Sequence, residues 1–264
     1  MPFRLTREVR FAINRHGNPK APVTNSYAGY PTLVGFGQYL ALQAKLSGEL
    51  DPATQYLINI KHIDSIIREK AIEMVGTWMR QKPDSDPALL LPKLFDLLEQ
   101  SWPGVKLDAL RLCLSPFLSL SCSVSEWPMV RLSQKFEFSA SHRLHNPKLS
   151  DEENRRCYGK CNNPHGHGHN YEVQVTLRGE PRENGLLVDV PEFERIVKQA
   201  VINRFDHKHL NDELVEFKDL IPSVENIAKV IYRTLKPHFA PADATLANVT
   251  VWETPKTWCE YAED

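Results

Sequence analysis

The stretch HGHGHNYEVQVTL, residues 165–177, decides the fold of the C-terminal half of this 264-residue chain. Residues two apart on a β-strand face the same side of the sheet, and the apolar residues from Tyr171 to Leu177 recur at every second position. His167 and His169 continue the same alternation toward the start of the stretch. The pattern therefore predicts a strand that presents two imidazoles, flanked by glycines, on its inward face.

A second strand upstream supplies a third imidazole in the same phase. Phe136, Phe138 and Ala140 alternate in the same way, and His142 stands next in that series. Three neutral imidazoles that leave one coordination position open are typical of catalytic zinc rather than of a closed structural site. Histidines without chemical function are the alternative, but three inward-facing imidazoles beside glycines favour a metal site.

Five short motifs carry a resemblance to a known family: FSASHRL (138–144), CNNP (161–164), HGHNY (167–171), FDHK (205–208) and VWET (251–254). Together they resemble the 6-pyruvoyl tetrahydropterin synthase and 6-carboxytetrahydropterin synthase family, from about residue 130 to the C-terminus. The resemblance implies the tunnelling fold (T-fold) and a zinc-dependent lyase that acts on 7,8-dihydroneopterin triphosphate. One departure is the apolar Phe205, where the family has leucine.

The resemblance also assigns roles to individual residues. His142, His167 and His169 would hold the cofactor, zinc (Zn2+). Cys161 matches the catalytic cysteine of the family, and a neighbouring cation such as Lys160 can lower the pKa of a thiol. Asp206 and His207 match the aspartate and histidine of its proton relay, although adjacent side chains often point apart.

Two carboxylates are candidates for substrate binding. Glu253 ends an inward-facing alternation, where an isolated carboxylate is costly, and it could accept the two parallel N–H donors of a pterin edge. A salt bridge at the strand end is the alternative for this residue. Glu225 resembles a family position near the pterin, but a capping role at a helix start would also explain it. Arg143 and Lys160 are candidate triphosphate contacts on charge alone.

Other functions remain open at this stage. Five residues separate Cys161 from His167, as in the pyruvoyl-forming type, but His165 supplies the three-residue spacing of the carboxy-forming type as well. The alternative product is therefore 6-carboxy-5,6,7,8-tetrahydropterin, on the queuosine (deazapurine) pathway. Cys157 and Cys161 with two histidines would instead make a structural, non-enzymatic zinc module. A binding scaffold without turnover is a further alternative.

An internal repeat predicts two modules. LSGE at 46–49 echoes LRGE at 177–180, and LINI at 57–60 echoes LVDV at 187–190. A self-similar period of this length indicates duplication of one structural unit.

We therefore expect a degenerate module without zinc at residues 1–129 and a catalytic zinc module at 130–264. Each is expected to be an α+β T-fold unit with an antiparallel four-stranded sheet and two helices packed on one face. The serine-rich segment 119–128 is expected to be the joint between them.

The first module lacks the metal ligands in either alignment. One alignment places Gly35 and Gly37 opposite the two histidines, and a shift by one residue places Phe36 and Gln38 there. Leu114 stands opposite the candidate carboxylate. The first module is therefore predicted to be catalytically inactive.

Composition limits the partners and the location. The net charge of −1 argues against nucleic acid and anionic membranes as partners, and neither a signal peptide nor a transmembrane run is expected. The five cysteines are expected to be reduced thiols of a soluble, cytoplasmic protein. A small-molecule pterin triphosphate is the expected substrate, and a homo-oligomer is expected because open sheet edges need covering. His16 and His62, in the first module, are expected to have no chemical role.

Overall fold

A computed structural model describes residues 2–15, 29–181, 187–239 and 244–263. The chain divides into two compact units, which we call the N-terminal unit (Met1–Leu132 with Gly179–Leu187) and the C-terminal unit (Ser133–Arg178 with Val188–Asp264). Both units combine helices with sheet, so the mixed helix-and-strand composition of the predicted fold is confirmed. Within the described residues, the helices are too short or too polar to serve as bilayer-spanning segments.

The N-terminal unit contains a four-stranded antiparallel meander. Its strands β1 (Phe3–Ile13), β2 (Gln38–Gly48), β3 (Lys106–Cys113) and β4 (Leu118–Ser123) lie side by side in chain order. Leucines and other apolar residues at alternate positions of β2 and β3 are buried, as a sheet with one covered face requires.

Two helical segments of the N-terminal unit bury their apolar stripes. The first is α1 (Ile60–Ile66), a π-helical turn (Ile67–Ala71) and α2 (Ile72–Gln81), which run without a break. The second is α3 (Leu90–Glu99), which contacts β3 and β4. Asn59 begins α1 by accepting a hydrogen bond from Lys61 N at 2.9 Å.

The expected joint at 119–128 was wrong for its first half, because β4 occupies residues 118–123 and pairs with β3. Leu118, Leu120 and Cys122 alternate with serines, and this period of two is a strand pattern. The serine content concealed that alternation. His16 lies outside the described residues, and His62 is exposed on α1.

The C-terminal unit has a sheet in the order β5, β6, β8, β9. These strands are β5 (Val130–His142), β6 (His167–Gly179), β8 (Thr245–Thr254) and β9 (Thr257–Tyr261). The pairs β6–β8 and β8–β9 are antiparallel. A two-residue strand, β7 (Lys208–His209), pairs in parallel with β5, which differs from the expected four-stranded antiparallel sheet.

Among the described residues, five α-helices accompany this sheet, two of them joined by a π-helical turn (Lys198–Ile202). They are α4 (Asp151–Tyr158), α5 (Val190–Val197), α6 (Asn203–Phe205), α7 (Leu210–Glu213) and α8 (Val224–Leu235). Asp189 caps α5 by accepting a hydrogen bond from Glu192 N, and Ser223 caps α8 by accepting one from Asn226 N.

Aromatic side chains join the helices to one face of the C-terminal sheet. The rings of Phe138 and Tyr171 are stacked at 5.0 Å, and Phe205 meets Phe138 edge-on at 5.5 Å. All three side chains are buried, and each such aromatic contributes about 3–5 kcal/mol when measured by truncation to alanine. The histidines of β5 and β6 extend this apolar face toward one end of the sheet.

The two units share a register detail. The register with the next strand shifts between Lys45 and Leu46 of β2, where Asp108 of β3 is the extra residue, and between Thr176 and Leu177 of β6, where Ala247 of β8 is the extra residue. Counting from these shifts places Gln38 at the position that His169 holds in β6. The shifted alignment of the repeat therefore describes the strands better than the one with glycines, and neither supplies a metal ligand.

Candidate metal and substrate site

The three predicted imidazoles lie together in the C-terminal unit. His142 ends β5, while His167 and His169 begin β6, and one ligand atom from each lies within 4.8 Å of the other two. Among the described residues, these three side chains form the one group of histidines, cysteines or acidic residues that lie close enough together to hold an ion. His142 is fully buried and the other two are partly buried.

The hydrogen bonds of this triad suit a metal ligand set. Nδ1 of His142 lies 2.7 Å from the carbonyl oxygen of Pro222, which can only accept, so the proton is on Nδ1 and Nε2 carries a lone pair. That Nε2 lies 3.0 Å from Nε2 of His167. Burial, followed by the neighbouring histidines, lowers the pKa of His142 to about 4, so the ring is neutral at pH 7.

Two further nitrogens of the triad are buried without a hydrogen-bond partner in the described part of the chain: Nδ1 of His167 and Nε2 of His169. Burial also lowers the pKa of His167. Buried polar atoms in proteins are normally satisfied. Neutral imidazoles with unshared lone pairs are the donor set that zinc prefers, so the residues present fit this metal.

Glu253 adds a negative charge beside the triad. Its Oε1 lies 3.3 Å from Nε2 of His142 and 3.7 Å from Nε2 of His169, and 20% of its side chain is exposed. A carboxylate that faces the lone pairs of neutral imidazoles is repelled by them unless a cation or an N–H donor intervenes. The site is therefore built for a cation, an N–H-bearing ligand, or both.

Gly166 allows the start of β6 to approach the end of β5. Its φ is +72°, and a Cβ at this position would lie 3.0 Å from the carbonyl oxygen of His142 and 2.8 Å from Nε2 of His209. A larger residue would meet both a steric and a conformational penalty here.

Cys161 lies in a short 3-10 helix (Gly159–Asn162) and is partly exposed. Its carbonyl oxygen accepts a hydrogen bond from Leu144 N at 2.9 Å, which ties this turn to the chain just after β5. Burial, and then the charge of Glu253, raise the pKa of Tyr171, whose ring centroid lies 5.5 Å from that of His169. The Glu253 carboxylate therefore acts on a phenol beside the triad.

Asp206 and His207 contact each other directly. Oδ2 of Asp206 lies 2.8 Å from Nδ1 of His207, while its Oδ1 accepts a hydrogen bond from Ser139 N at 2.9 Å. These bonds, from Ser139 first and then His207, lower the pKa of Asp206. His207 has a φ of +58°, uncommon for a residue with a side chain, and His207 N donates to Ser139 O at 2.6 Å.

The imidazole of His207 is 83% exposed and borders an open groove of about 580 Å³ that His169 also lines. In the described part of the chain, no hydrogen bond or ion pair joins Cys161 to Asp206 or His207. Cys161, Asp206 and His207 were expected to share one proton relay. Within a single chain, Asp206 and His207 contact each other, and the Cys161 thiol is bonded to neither.

The family model for 6-pyruvoyl tetrahydropterin synthase matches residues 131–264. This chain belongs to that family. A 6-pyruvoyl tetrahydrobiopterin synthase of Homo sapiens is 39% identical over 132 residues, which cover 50% of this chain and 90% of the relative.

A 6-carboxy-5,6,7,8-tetrahydropterin synthase of Haemophilus influenzae is 26% identical over 156 residues, with 51% of this chain and 100% of that relative covered. Among solved structures, 6-pyruvoyl tetrahydropterin synthase of Caenorhabditis elegans is 37% identical and has a TM-score of 0.49. The match covers 52% of this chain and 97% of the Caenorhabditis elegans chain. The predicted family resemblance is confirmed.

Three candidates from the sequence lie outside the triad of this family member. Glu225 is exposed in the first turn of α8, where the capping oxygen comes from Ser223 instead. His165 is exposed in the turn before β6, and Cys157 is exposed on α4. None of these three residues belongs to the metal-ligand group found in the described residues.

Sequence reasoning missed two parts of the site in this family member. The Pro222 carbonyl that orients His142 is 80 residues away and is a backbone atom, so no side-chain pattern marks it. Gly166 could have been noted as a glycine immediately before a strand, where a positive φ is common.

Proposed function

We propose that the protein is a zinc-dependent lyase that converts 7,8-dihydroneopterin triphosphate to 6-pyruvoyl-tetrahydropterin with elimination of triphosphate, a carbon–oxygen lyase reaction. The observation that carries this proposal is the convergence of three imidazoles beside Glu253 in a member of the pterin synthase family. His142, His167 and His169 would hold the zinc. When bound, zinc would supply Lewis-acid chemistry to the hydroxyl groups of the substrate side chain and so acidify the adjacent C–H group.

Glu253 is proposed to anchor the pterin. Its carboxylate faces the site from β8 and accepts no hydrogen bond from the described residues, so two oxygens are available for two parallel N–H donors. Compounds that lack this pair of donors would be excluded from the site, because the carboxylate would remain unpaired when they bind. Glu225 is retained as a weaker substrate contact, since it lies in the first turn of α8, just beyond Pro222.

Cys161 is proposed as the base, with Sγ taking the proton from the substrate carbon. The Asp206–His207 pair would then carry that proton, because Asp206 holds Nδ1 of His207 and leaves Nε2 free to exchange it. The pair does not contact Cys161 within one chain, so we propose that the chain assembles as a homo-oligomer in which His207 serves Cys161 of a neighbouring copy.

Cys161→Ala and His207→Ala variants test this arrangement. Each alone should be inactive, and co-expression of the two should restore part of the activity, since mixed oligomers contain one site with both groups. Failure to recover activity in co-purified mixed oligomers would place the relay within one chain or remove it.

The N-terminal unit is proposed to be a second, inactive T-fold module, with the modules at residues 1–129 and 130–264. The equivalent register shifts of the β2–β3 and β6–β8 pairs support a common origin, and Gln38 and Leu114 stand where zinc and pterin contacts would be needed. All five cysteines are free thiols, in keeping with the cytoplasmic location that we propose.

The carboxy-forming reaction is the second candidate product, since His165 provides the shorter spacing to Cys161. The greater identity to the relative named for the pyruvoyl product supports the first candidate. Incubation with 7,8-dihydroneopterin triphosphate and mass spectrometry of the products decides between them, because the carboxy route also releases acetaldehyde.

The same assay tests the metal site. His167→Ala should lose both bound zinc and turnover, whereas His165→Ala, a matched histidine in the same stretch, should keep both. A structural zinc held by Cys157 and Cys161 would instead be lost in Cys157→Ala, which we expect to retain its metal because that side chain is exposed on α4.

A further inference from the structure

The N-terminal unit contains a pocket of about 290 Å³, which we call the N-terminal pocket. Its walls are mostly apolar. They are formed by leucines of the sheet, Leu40, Leu112 and Leu114, and by the face of α2 that carries Trp78 and Met79. Among the described residues, the polar side chains of its lining are Gln38, Lys82 and Ser85.

The N-terminal pocket lies at the place that corresponds to the metal and substrate site of the C-terminal unit. One sequence offset relates Gln38 of β2 to His169 of β6, and the same offset relates the π-helical turn Ile67–Ala71 to the π-helical turn Lys198–Ile202. Helical turns of this type are rare. Their recurrence at matching places supports a duplication that included the strand, the helix and the cavity between them.

The residues at this place are unsuited to a metal ion or a pterin. Strand pairing aligns Leu112 with Val251, so Leu114, two residues further on, takes the place of Glu253. The N–H edge of a pterin would face a leucine here and would lose its hydrogen bonds to water without replacement. Gln38 offers an amide, which is not among the usual zinc ligands. The N-terminal pocket therefore suits an apolar ring system.

The size of the cavity and its aromatic wall suit fused rings. An apolar cavity of about 150 Å³ holds benzene, so about 290 Å³ admits two fused rings with a short substituent. Trp78 is fixed in place for contact with such rings, because its Nε1 donates to Oγ of Ser85 at 2.8 Å. That hydroxyl in turn donates to the carbonyl oxygen of Lys82 at 2.8 Å. Met79 adds a thioether, which packs favourably against aromatic rings.

Lys82 gives the N-terminal pocket one positive charge. Its Nζ lies 4.8 Å from the centroid of the Trp78 ring, and in the described part of the chain no carboxylate forms an ion pair with it. The side-chain amide of Gln38 has no hydrogen bond to any described residue. Because the donors of Trp78 and Ser85 are already paired, Lys82 and Gln38 remain for a ligand. An ammonium and an amide above an apolar ring site are complementary to a carboxylate.

From this arrangement we infer that the N-terminal pocket binds a small aromatic carboxylate. The rings lie against Trp78 and Leu114, and the carboxylate accepts hydrogen bonds from Lys82 and Gln38. This inference is independent of the proposed lyase reaction, because every residue that it uses belongs to the N-terminal unit. The catalytically inactive module is then a ligand-binding module.

Titration calorimetry of the full-length protein with 2-naphthoate, and with 2-naphthamide as its uncharged counterpart, tests the inference. Wild-type protein should bind the carboxylate about tenfold more tightly than the amide, the difference expected for one charge-assisted hydrogen bond. Lys82→Gln should weaken binding of the carboxylate about tenfold and leave binding of the amide within twofold. Arg80→Gln is the matched control, since Arg80 is an exposed cation at the end of α2 that does not line the pocket.

Two further variants locate the bound probe. Leu114→Glu places a carboxylate at the ring site and should abolish binding of 2-naphthoate, with circular dichroism used to check that the variant is folded. His167→Ala should bind 2-naphthoate as wild type does, because the proposed metal site is in the other unit. Loss of binding in His167→Ala would place the probe on the metal and overturn the inference.

The inference is also overturned if wild-type protein binds neither probe, or if Lys82→Gln and Arg80→Gln bind 2-naphthoate equally well. If no probe binds and Leu114→Glu instead dissociates the purified oligomer, as sedimentation would show, the pocket is occupied by a second copy of the chain. That result would likewise overturn the inference.

Discussion

Replacing Gly166 by alanine tests whether the close approach of β5 and β6 builds the metal site. The positive φ of +72° costs an alanine about 1–2 kcal/mol. The new Cβ would lie 3.0 Å from the carbonyl oxygen of His142 and 2.8 Å from Nε2 of His209. Because the backbone must yield to the first of these contacts, about 1–3 kcal/mol of overpacking is added.

Two other glycines separate these terms. Gly159 has a φ of +52° with nothing within 4 Å of its Cβ position, so Gly159→Ala should show the conformational cost alone, about 1–2 kcal/mol. Gly168 stands in β6 with Ala140 O at 3.5 Å, an ordinary contact, so Gly168→Ala should change stability by about 0.5 kcal/mol or less.

Urea unfolding of the zinc-free proteins measures stability, and competition with a chromogenic chelator measures zinc affinity. Gly166→Ala should lose about 2–5 kcal/mol of unfolding free energy. Since the strained contact is with the backbone of His142, the Gly166→Ala variant should also bind zinc about 10–100-fold more weakly, which is the loss expected when a group that orients a metal ligand is removed. Equal zinc affinity in Gly166→Ala and Gly168→Ala would refute this account of the site.

Three further outcomes are expected. Asp206→Asn should lower kcat about 100-fold with little change in KM, because Nδ1 of His207 loses its carboxylate partner; steady-state kinetics with the pterin triphosphate measures this. The bonds to Arg233, and then to Lys236 and the Tyr261 hydroxyl, lower the pKa of Glu263 from 4.5 to about 2. The ionised Glu263 carboxylate stabilises the fold fully above pH 4.5, and this stabilisation is lost as the pH falls toward 2. In acid titrations over that interval, Glu263→Gln should therefore lose unfolding free energy less steeply than the wild-type protein. Burial raises the pKa of Cys122 to about 12. At pH 8 a maleimide should therefore label the exposed Cys157 in the native protein and should label Cys122 only after unfolding. Peptide mapping identifies the labelled cysteines.

Local periodicity predicted which side chains of the metal site face inward. In β6 every second residue from Tyr171 to Leu177 is buried, as the alternation predicts, although Thr176 on the other face is buried too. In β5 the series from Phe138 to His142 is buried at every second residue. Serine-rich β4 shows the limit of this approach, because its polar composition concealed the same alternation.

Contacts between distant segments were not predictable in this way. The direct pairing of Asp206 with His207 depends on the φ of +58° at His207, which the hydrogen bonds with Ser139 in β5 help to hold. Arg155 lines one pocket with Arg143 and Lys160, and it was not predicted there, because its membership depends on where α4 lies beside the turn that carries Lys160.

The amino-acid sequence by itself determined the family, the strands and helices that matter, and the three imidazoles that share one face, because side-chain direction along a strand follows from a period of two residues. Tertiary structure alone decided that His142 is oriented by the carbonyl of Pro222 and that three cations border one pocket. It did so because these contacts join backbone and side-chain atoms far apart in the chain, and only the packing of the whole unit determines which of them meet.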